Sequence, residues 1–363
     1  MTEYALGLMS GTSMDGIDVA VIDVHQHQLI VAETFPYSPH IHDKIKKVMN
    51  REYFDASYFA LLDREIGLEF ANAANQIICQ MTIDQRQALK VIGSHGQTVC
   101  HQPKGHLPFT WQMGCPYTIS QLCEKPVVFQ FRNANIAAGG QGAPLAPIYH
   151  QQLFGQVHEA AVVNIGGISN ISFVSPQRME GYDVGPGNCL MDAWIERHLQ
   201  LHFDRSGNWS ASGSVSNELL GRLSKDPFLS EPYPKSIGKE YYSMDWLENS
   251  LKGLHLSPQD VQATLCAYTV LVITEQIKAQ LPADKDVWIC GGGAKNLEIV
   301  KGLKNELRGY QVRISHEAGI SEDYLEAMMM AWLGWMRYTQ QPINLHAIMG
   351  GKLGPQLVGL ICE

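Results

Sequence analysis

This chain has no apolar run long enough to cross a bilayer. Its opening residues, MTEYALGLMSGTS, have neither a basic region nor the long apolar core that follows one in a secretory signal. Its eight cysteines include no C-x-x-C pair and are scattered through apolar or glycine-rich surroundings. That usage reads as reduced thiols in a cytoplasmic protein, not a disulfide scaffold. The fourteen histidines include no H-E-x-x-H pattern. His198 and His202 would share a helix face, but no glutamate lies between them and no third ligand is evident, so a solvated face is the better reading than zinc. Positive charge is also scarce, with 27 Lys and Arg against 36 Asp and Glu and a net charge of −9. This argues against a nucleic-acid or anionic-membrane partner. The one small basic cluster, Lys44, Lys46 and Lys47, reads as a solvated face. There is no GxxxxGK[ST] loop, and the first lysine of the chain is Lys44.

What is present is a sequence of 363 residues, 45% hydrophobic, enough for two domains. Its most informative stretch is GYDVGPGNCLMDAW, residues 181 to 194. There a carboxylate, Asp183, comes just before the tight turn Gly185-Pro186-Gly187-Asn188, and a helical apolar pattern follows at Leu190, Met191, Trp194 and Ile195. A carboxylate at a strand tip can point into a cleft and take a proton. Taken alone it could equally cap the turn or the helix.

Two glycine-rich hairpins lie elsewhere in the chain. Tyr4 to Met9 and Ile17 to Val24 are apolar runs flanking Ser10-Gly11-Thr12-Ser13-Met14-Asp15-Gly16. Ala161 to Ile165 and Ile171 to Val174 flank Gly166-Gly167 in the same way, which suggests two similar domains facing each other. A third strand is expected over Leu29 to Glu33. Leu62, Ile66, Phe70, Ala73 and Ile77 predict a long amphipathic helix. Val91 to Gly93 reads as a short strand that ends in the polar stretch Ser94 to Thr98. Residues 133 to 147 read as a connection or hinge between the halves, and residues 203 to 240 as a loop-rich insertion. A helix over Asp260 to Gln280, a strand over Asp286 to Cys290, and an apolar helix containing Glu326 complete the outline.

Glycines at hairpin tips let backbone N–H groups approach phosphate with no Cβ in the way. Thr12 and Ser13 add hydroxyl donors, and Asp15 and Asp18 are candidate Mg²⁺ ligands, directly or through water. Gly291-Gly292-Gly293, between a strand and a helix start, offers a third approach for phosphate or adenosine.

These features together resemble the anhydro-N-acetylmuramic acid kinase family, within the acetate and sugar kinase, Hsp70 and actin superfamily. The resemblance rests on GLMSGTSMDGID (7–18), GSHGQT (93–98), AAGGQGAPLAP (137–147), VNIGGISNIS (163–172), YDVGPGNCLMDAW (182–194), PKSIGKEYY (234–242), DVQATL (260–265), CGGGAKN (290–296) and LEAMMMAWL (325–333). It implies an α/β, two-domain actin/Hsp70/sugar-kinase-like fold with a nucleotide cleft between the domains. The first domain is expected over 1–130 plus about 340–363, the second over 131–339. The implied reaction opens the 1,6-anhydro ring of the sugar with water and phosphorylates the freed O6 with ATP and Mg²⁺. Asp183 matches the family's catalytic aspartate. Gly11, Thr12, Ser13, Met14, Asp15, Gly16, Ile17 and Asp18 would carry the ATP phosphates, with Gly166 and Gly167. Gly291, Gly292 and Gly293 would lie against the nucleotide. Arg132 is expected to pair with the sugar's lactyl carboxylate. Glu326 is expected to contact the sugar, and His95 and Gln97 to line the same site or serve a turn. A homodimer and a role in cell-wall recycling follow from the resemblance alone.

The chain departs from the family's usual residues at Gln130 and Asn135, where the family has aspartates. It also departs near Cys115, where an acid is usual, and in the C-terminal run HAIMGGKLGP. The departures at Gln130 and Asn135 leave a kinase for another sugar acid as one rival reading; an actin- or Hsp70-like ATP clamp with no sugar kinase activity is a second, against which Asp183 in its glycine turn and Glu326 argue.

Overall fold

The computed structural model describes all residues except Met1, Thr12, Ser13, Tyr53, Pro234, Lys239 and Glu322. It divides into two compact units, Met1–Tyr149 with Tyr324–Glu363, and His150–Asp323. Among the described residues no helix is long and apolar enough to cross a membrane.

The first unit is built on β1 (Tyr4–Ser10), β2 (Ile17–Asp23), β3 (Leu29–Phe35), β4 (Leu89–Gln102), β5 (Phe109–Met113) and β6 (Val127–Phe129). β1, β2 and β3 form an antiparallel meander, and β4 then pairs with β1 in parallel. β6 pairs in parallel with β4, and the edge strand Leu360–Cys362 closes that side. The helix Ala56–Gln80 begins where the Asp55 carboxylate accepts the Tyr58 N–H, and it buries Leu62, Ile66, Phe70, Ala73, Ala74 and Ile77. These residues join Leu6, Leu8, Val19, Val21 and Ile92 in one apolar core.

The helix Leu325–Tyr338 belongs to the same unit because it lies directly on β1 and β4. Glycine permits that approach. A Cβ on Gly7 would strike the Ala327 carbonyl, and one on Gly93 the Met330 carbonyl. The contact also fixes the helix's first turn, which carries Glu326.

The second unit repeats the strand order. β7 (Ala160–Ile165), β8 (Ile168–Val174) and β9 (Met179–Pro186) form an antiparallel meander. β10 (Asp286–Cys290) pairs in parallel with β7, and β11 (Gln311–Ile314) in parallel with β10. The helix Pro258–Gln280 starts at Ser257, whose hydroxyl accepts the Asp260 N–H, and it is buried on nearly every side. Leu265, Tyr268, Ile273 and Ile277 from it join Val163, Ile171, Phe173, Val184 and Val287 in the core.

Three expectations change. The stretch Ser94 to Thr98 is not a turn, because β4 runs on to Gln102, held extended by antiparallel pairing with β5. Gly96, at φ +73, and a register shift near Thr98 absorb the irregularity that the polar residues suggested. The stretch 133–147 holds the helix Asn133–Ala137 and the start of the helix Ala146–Phe154, and it lies wholly within the first unit. The expected boundaries at 130/131 and 339/340 also fall inside that unit. Arg132 and Asn135 bond to Gly142 and Gly350, and the helix Leu325–Tyr338 is seated on the first sheet.

Gly93→Ala is expected to destabilise the protein by about 1–3 kcal/mol through overpacking against the Met330 backbone, read as a lowered Tm. Gly221→Ala, in the helix Asn217–Leu223 with open space at the Cβ position, is expected to leave Tm unchanged or raise it slightly.

Candidate active site

In the first unit the tip between β1 and β2 is braced from behind. The Ser10 hydroxyl lies 2.9 Å from the Gly16 carbonyl and 2.8 Å from Gln97 Oε1. Tyr37 donates to the same Oε1 at 3.1 Å, and Gln97 Nε2 donates to the Gly11 carbonyl at 3.2 Å. Gln97 is fully buried, so its amide holds the hairpin in shape. Met14 adopts φ +60, and its N–H closes a turn on the Gly11 carbonyl. A Cβ on Gly16 would press on Thr34 and the Phe35 carbonyl. Ile17 is buried in the core and Asp15 is exposed. Asp18 accepts the Thr34 hydroxyl at 2.6 Å. Thr12 and Ser13 lie outside the described residues.

Arg132, His95 and Glu326 meet in the same unit. Arg132 Nε donates to His95 Nε2 at 3.0 Å, and its Nη1 donates to the Gly142 carbonyl at 2.8 Å. The other imidazole nitrogen, Nδ1, lies 3.0 Å from the Gly96 carbonyl and must carry the proton, since a carbonyl only accepts. Burial, with the neighbouring guanidinium, pushes the His95 pKa down to about 3, so the ring is a neutral acceptor at physiological pH. Burial lowers Arg132 to about 10, and the Glu326 charge opposes that shift. The Glu326 carboxyl keeps an exposed surface, yet the surrounding protein raises its pKa. The Arg132 charge works against that rise and Asp18 adds to it. Among the described residues Arg132 Nη2 has no hydrogen-bond partner.

The second unit gathers the other glycines. The Gly166 carbonyl accepts the Asn188 N–H, and the Gly167 carbonyl accepts those of Gly187 and Cys189. The β7–β8 tip is thereby fixed to the start of the helix Cys189–Leu199. A Cβ on Gly166 or Gly167 would meet only ordinary contacts, at 3.6 and 3.8 Å, so packing does not demand glycine at that tip. Gly291 and Gly293 differ. Cβ atoms there would strike Asn164 and Ile165 at the end of β7, so both are needed for close packing. Gly292 is open and lines a cavity of about 450 Å³ with Asn188, Asp192, Phe203, Arg205 and Lys295. Burial, with the charges of Asp204 and Glu196, pushes the Asp192 pKa up to about 7.

Asp183 lies on β9, the edge strand of the second sheet. A register shift places Ser169 opposite Gly185 but Asn170 opposite Asp183, leaving Val184 as an extra residue. Such bulges re-aim neighbouring side chains. The carboxylate accepts the Ile237 N–H at 2.9 Å and a hydrogen bond from the Ser236 side chain. Burial raises its pKa, and those two donors limit the rise. A raised, partly desolvated carboxylate suits a general base.

Within the first unit the structure thus brings together Gly11, Gln97, His95, Arg132, Glu326 and Asp18. Within the second it brings together Gly166, Gly167, Gly291 to Gly293 and the turn after Asp183. The donors to Asp183 and the cavity residues Asp192, Phe203 and Arg205 carried no role in the sequence reading. The run PKSIGKEYY was the available signal for the first of these. Among the described residues no group of three or more His, Cys, Asp or Glu is placed to hold a metal.

Residues 3–362 match the family model described as anhydro-N-acetylmuramic acid kinase. A protein named anhydro-N-acetylmuramic acid kinase from Legionella pneumophila strain Corby is 45% identical over 358 residues, covering 98% of this chain and 97% of the relative. One of the same name from Vibrio vulnificus strain CMCP6 is 39% identical, with 96% of each chain covered. Among solved structures, component A of the (R)-2-hydroxyglutaryl-CoA dehydratase of Acidaminococcus fermentans has a TM-score of 0.49 at 10% identity, covering 93% of this chain and all of that one (100%). The full-length family match and the close relatives agree: this chain belongs to the anhydro-N-acetylmuramic acid kinase family.

Proposed function

We propose that this protein adds water across the 1,6-anhydro bridge of anhydro-N-acetylmuramic acid while transferring the γ-phosphoryl group of ATP to O6. The products are N-acetylmuramic acid 6-phosphate and ADP. Asp183 takes a proton from the water that attacks C1. The C1–O6 bond breaks as the C1–O bond to water forms, and O6 captures the phosphoryl group. One carboxylate activating water corresponds to half of an inverting glycosidase. No general acid is needed, because phosphorus receives the leaving oxygen. The observation that carries this reading is the Asp183 carboxylate, raised by burial and held by two neutral donors.

The remaining roles follow from chemistry. The braced residues Gly11 and Gly16 and the open tip at Gly166-Gly167 suit phosphate oxygens, whose transfer needs mainly alignment and charge neutralisation. Gly292 and its cavity suit the nucleoside. Arg132, with Nη2 free of partners among the described residues, suits the lactyl carboxylate, and Glu326 suits a sugar hydroxyl. His95 turns the guanidinium and stays neutral, so it adds no competing charge. A magnesium ion bound with the nucleotide would neutralise phosphate charge. Such an ion keeps several waters and takes one or two protein carboxylates, a demand that Asp15 and Asp18 fit. We infer a cytoplasmic homodimer acting in peptidoglycan recycling from family membership.

Turnover of the anhydrosugar with Mg-ATP in ¹⁸O-water is expected to place ¹⁸O at C1 and phosphate on O6, read by mass spectrometry. ADP without phosphosugar would favour the ATP clamp. Phosphorylation of a different sugar acid alone would favour the altered-substrate reading. Asp183→Asn is expected to abolish product formation.

The base works only when ionised, so kcat/KM should fall as pH drops through the Asp183 pKa. Because burial raises that pKa, the acid limb should lie above the ordinary carboxylate range. A pH–rate profile with no acid limb above that range would contradict the role. Arg132→Lys is expected to raise the KM for the sugar by about 10- to 100-fold through loss of the bidentate pair, with a smaller change in the KM for ATP.

A further inference from the structure

The residues that donate to Asp183 belong to the stretch Lys235 to Ile237, which lies beside the edge strand β9. The Asp183 N–H donates to the Lys235 carbonyl at 3.0 Å, and the Ile237 N–H returns a bond to Asp183 Oδ2 at 2.9 Å. The Ser236 side chain, between them, hydrogen-bonds the same carboxylate. The segment therefore grips the backbone and the side chain of one residue at once.

Both ends of the run 235–242 are tied to a single turn. Lys235, 8% exposed, donates from Nζ to the Phe228 carbonyl at 2.8 Å and the Leu229 carbonyl at 3.0 Å. Its ammonium also sits 4.5 Å from the centre of the Phe228 ring. At the other end Tyr241 donates to Asp226 Oδ1 at 2.7 Å and Tyr242 to Oδ2 at 2.8 Å. Asp226 Oδ1 also accepts the Phe228 N–H, so the turn holding both ends is itself capped. The Tyr233 ring stacks on Tyr182, the residue before Asp183, with centroids 5.0 Å apart.

We propose that Lys235 to Ile237 form a strap that fixes the orientation of the Asp183 carboxylate, with Ser236 as its positioning residue and Lys235 as its anchor. The inference rests on Asp183 being the base. A carboxylate offers about four lone-pair positions. Two donors from the strap leave acceptor capacity for the attacking water while removing the freedom of the side chain to rotate away. The anchoring is the more telling part. A buried lysine needs acceptors, and Lys235 finds its acceptors on the turn carbonyls. Its charge is thus spent away from Asp183. The causes of the Asp183 shift include no charged neighbour: only burial, the Ile237 N–H and the Ser236 side chain act on it.

The test compares Ser236→Ala, Ser236→Thr and Lys235→Met with Asp183→Asn, using kcat, the KM for sugar and the pH profile. Ser236→Ala is expected to lower kcat about 10- to 100-fold by misplacing the base, with sugar KM little changed. It should also move the acid limb of kcat/KM to higher pH, since a donor to the charged form is lost. Ser236→Thr should restore much of kcat and return the limb. Lys235→Met should lower kcat while leaving the limb where it was, because Ser236 and the Ile237 N–H still reach the carboxylate. If Ser236→Ala keeps kcat and the limb while Asp183→Asn is inactive, the strap is overturned and the base assignment stands. If Asp183→Asn stays active, the base assignment itself falls. A Ser236→Ala protein with lowered Tm, unchanged limb and no rescue by Thr would mark a merely structural contact and also overturn the proposal.

Discussion

The parallel pairing of the fourth strand with the first, made once in each sheet, is the constraint on which each unit's cluster of candidate residues depends. Parallel strands end on the same side, so whatever follows the one is delivered beside whatever follows the other. In the first sheet Ser10 is in register with Gln97, which places the β4 amide behind the β1–β2 tip. In the second, Asn164 is in register with Cys290, which sets Gly291 to Gly293 against the end of β7 and its glycine tip. The same strand order thus produces the same convergence from unrelated side chains. In one unit the tip is braced by a buried amide; in the other it is braced by a helix start and by glycine packing. Ligand sites at the carboxyl ends of strands, where the strand order reverses, follow from the same geometry.

Electrostatics then divides the work within each unit. In the first, His95 could have competed with Arg132 as a second cation. Burial keeps it neutral, and its Gly96 contact fixes the tautomer, so it becomes an acceptor that aims the guanidinium. Glu326 stays near enough to support the arginine's charge without closing an ion pair on it. In the second unit two carboxyls are raised by burial for different ends. Asp183 has neutral donors that keep its ionised form accessible. Asp192 instead faces like charges, and its pKa near 7 leaves it partly protonated at neutral pH.

Much of this was legible in the chain, and the residues show why. Alternation and glycine tips are local signals, so both hairpins, the 3.6-residue helix pattern from Leu62 to Ile77 and the helix after Asn188 were readable from spacing. Pairing partners are not local. Ser94 to Thr98 looks like a turn by composition, but it is strand because β5 arrives to pair with it. The strap at Lys235 to Ile237 has no periodicity. The run PKSIGKEYY marks the stretch, but its acceptors on Phe228 and Leu229 and its donor to Asp183 are contacts that spacing does not show. The division of the chain was misplaced for a similar reason. The helix Leu325–Tyr338 reads as an apolar helix that any core could bury, and only Gly7 and Gly93 reveal which sheet it lies upon.

Two of the departures expected from the resemblance, Asn135 and the run HAIMGGKLGP, touch each other. Asn135 is fully buried, accepts the Gly142 N–H at 2.8 Å through Oδ1 and donates to the Gly350 carbonyl at 3.1 Å through Nδ2. A carboxylate could make the first bond but would set a lone pair against the Gly350 carbonyl. Gly350 belongs to HAIMGGKLGP, the other stretch that departs. The same stretch receives the Gln141 N–H on the Met349 carbonyl and bridges Gly140 through Gly350. The loop 140–142 so held presents the Gly142 carbonyl to Arg132. The amide at 135 and the glycines at 350 and 351 therefore act as one packed unit: changing the side chain at 135 alone would break a bond that the C-terminal run is shaped to accept. Held in this way, the loop keeps the arginine oriented by a neutral backbone carbonyl and a neutral imidazole.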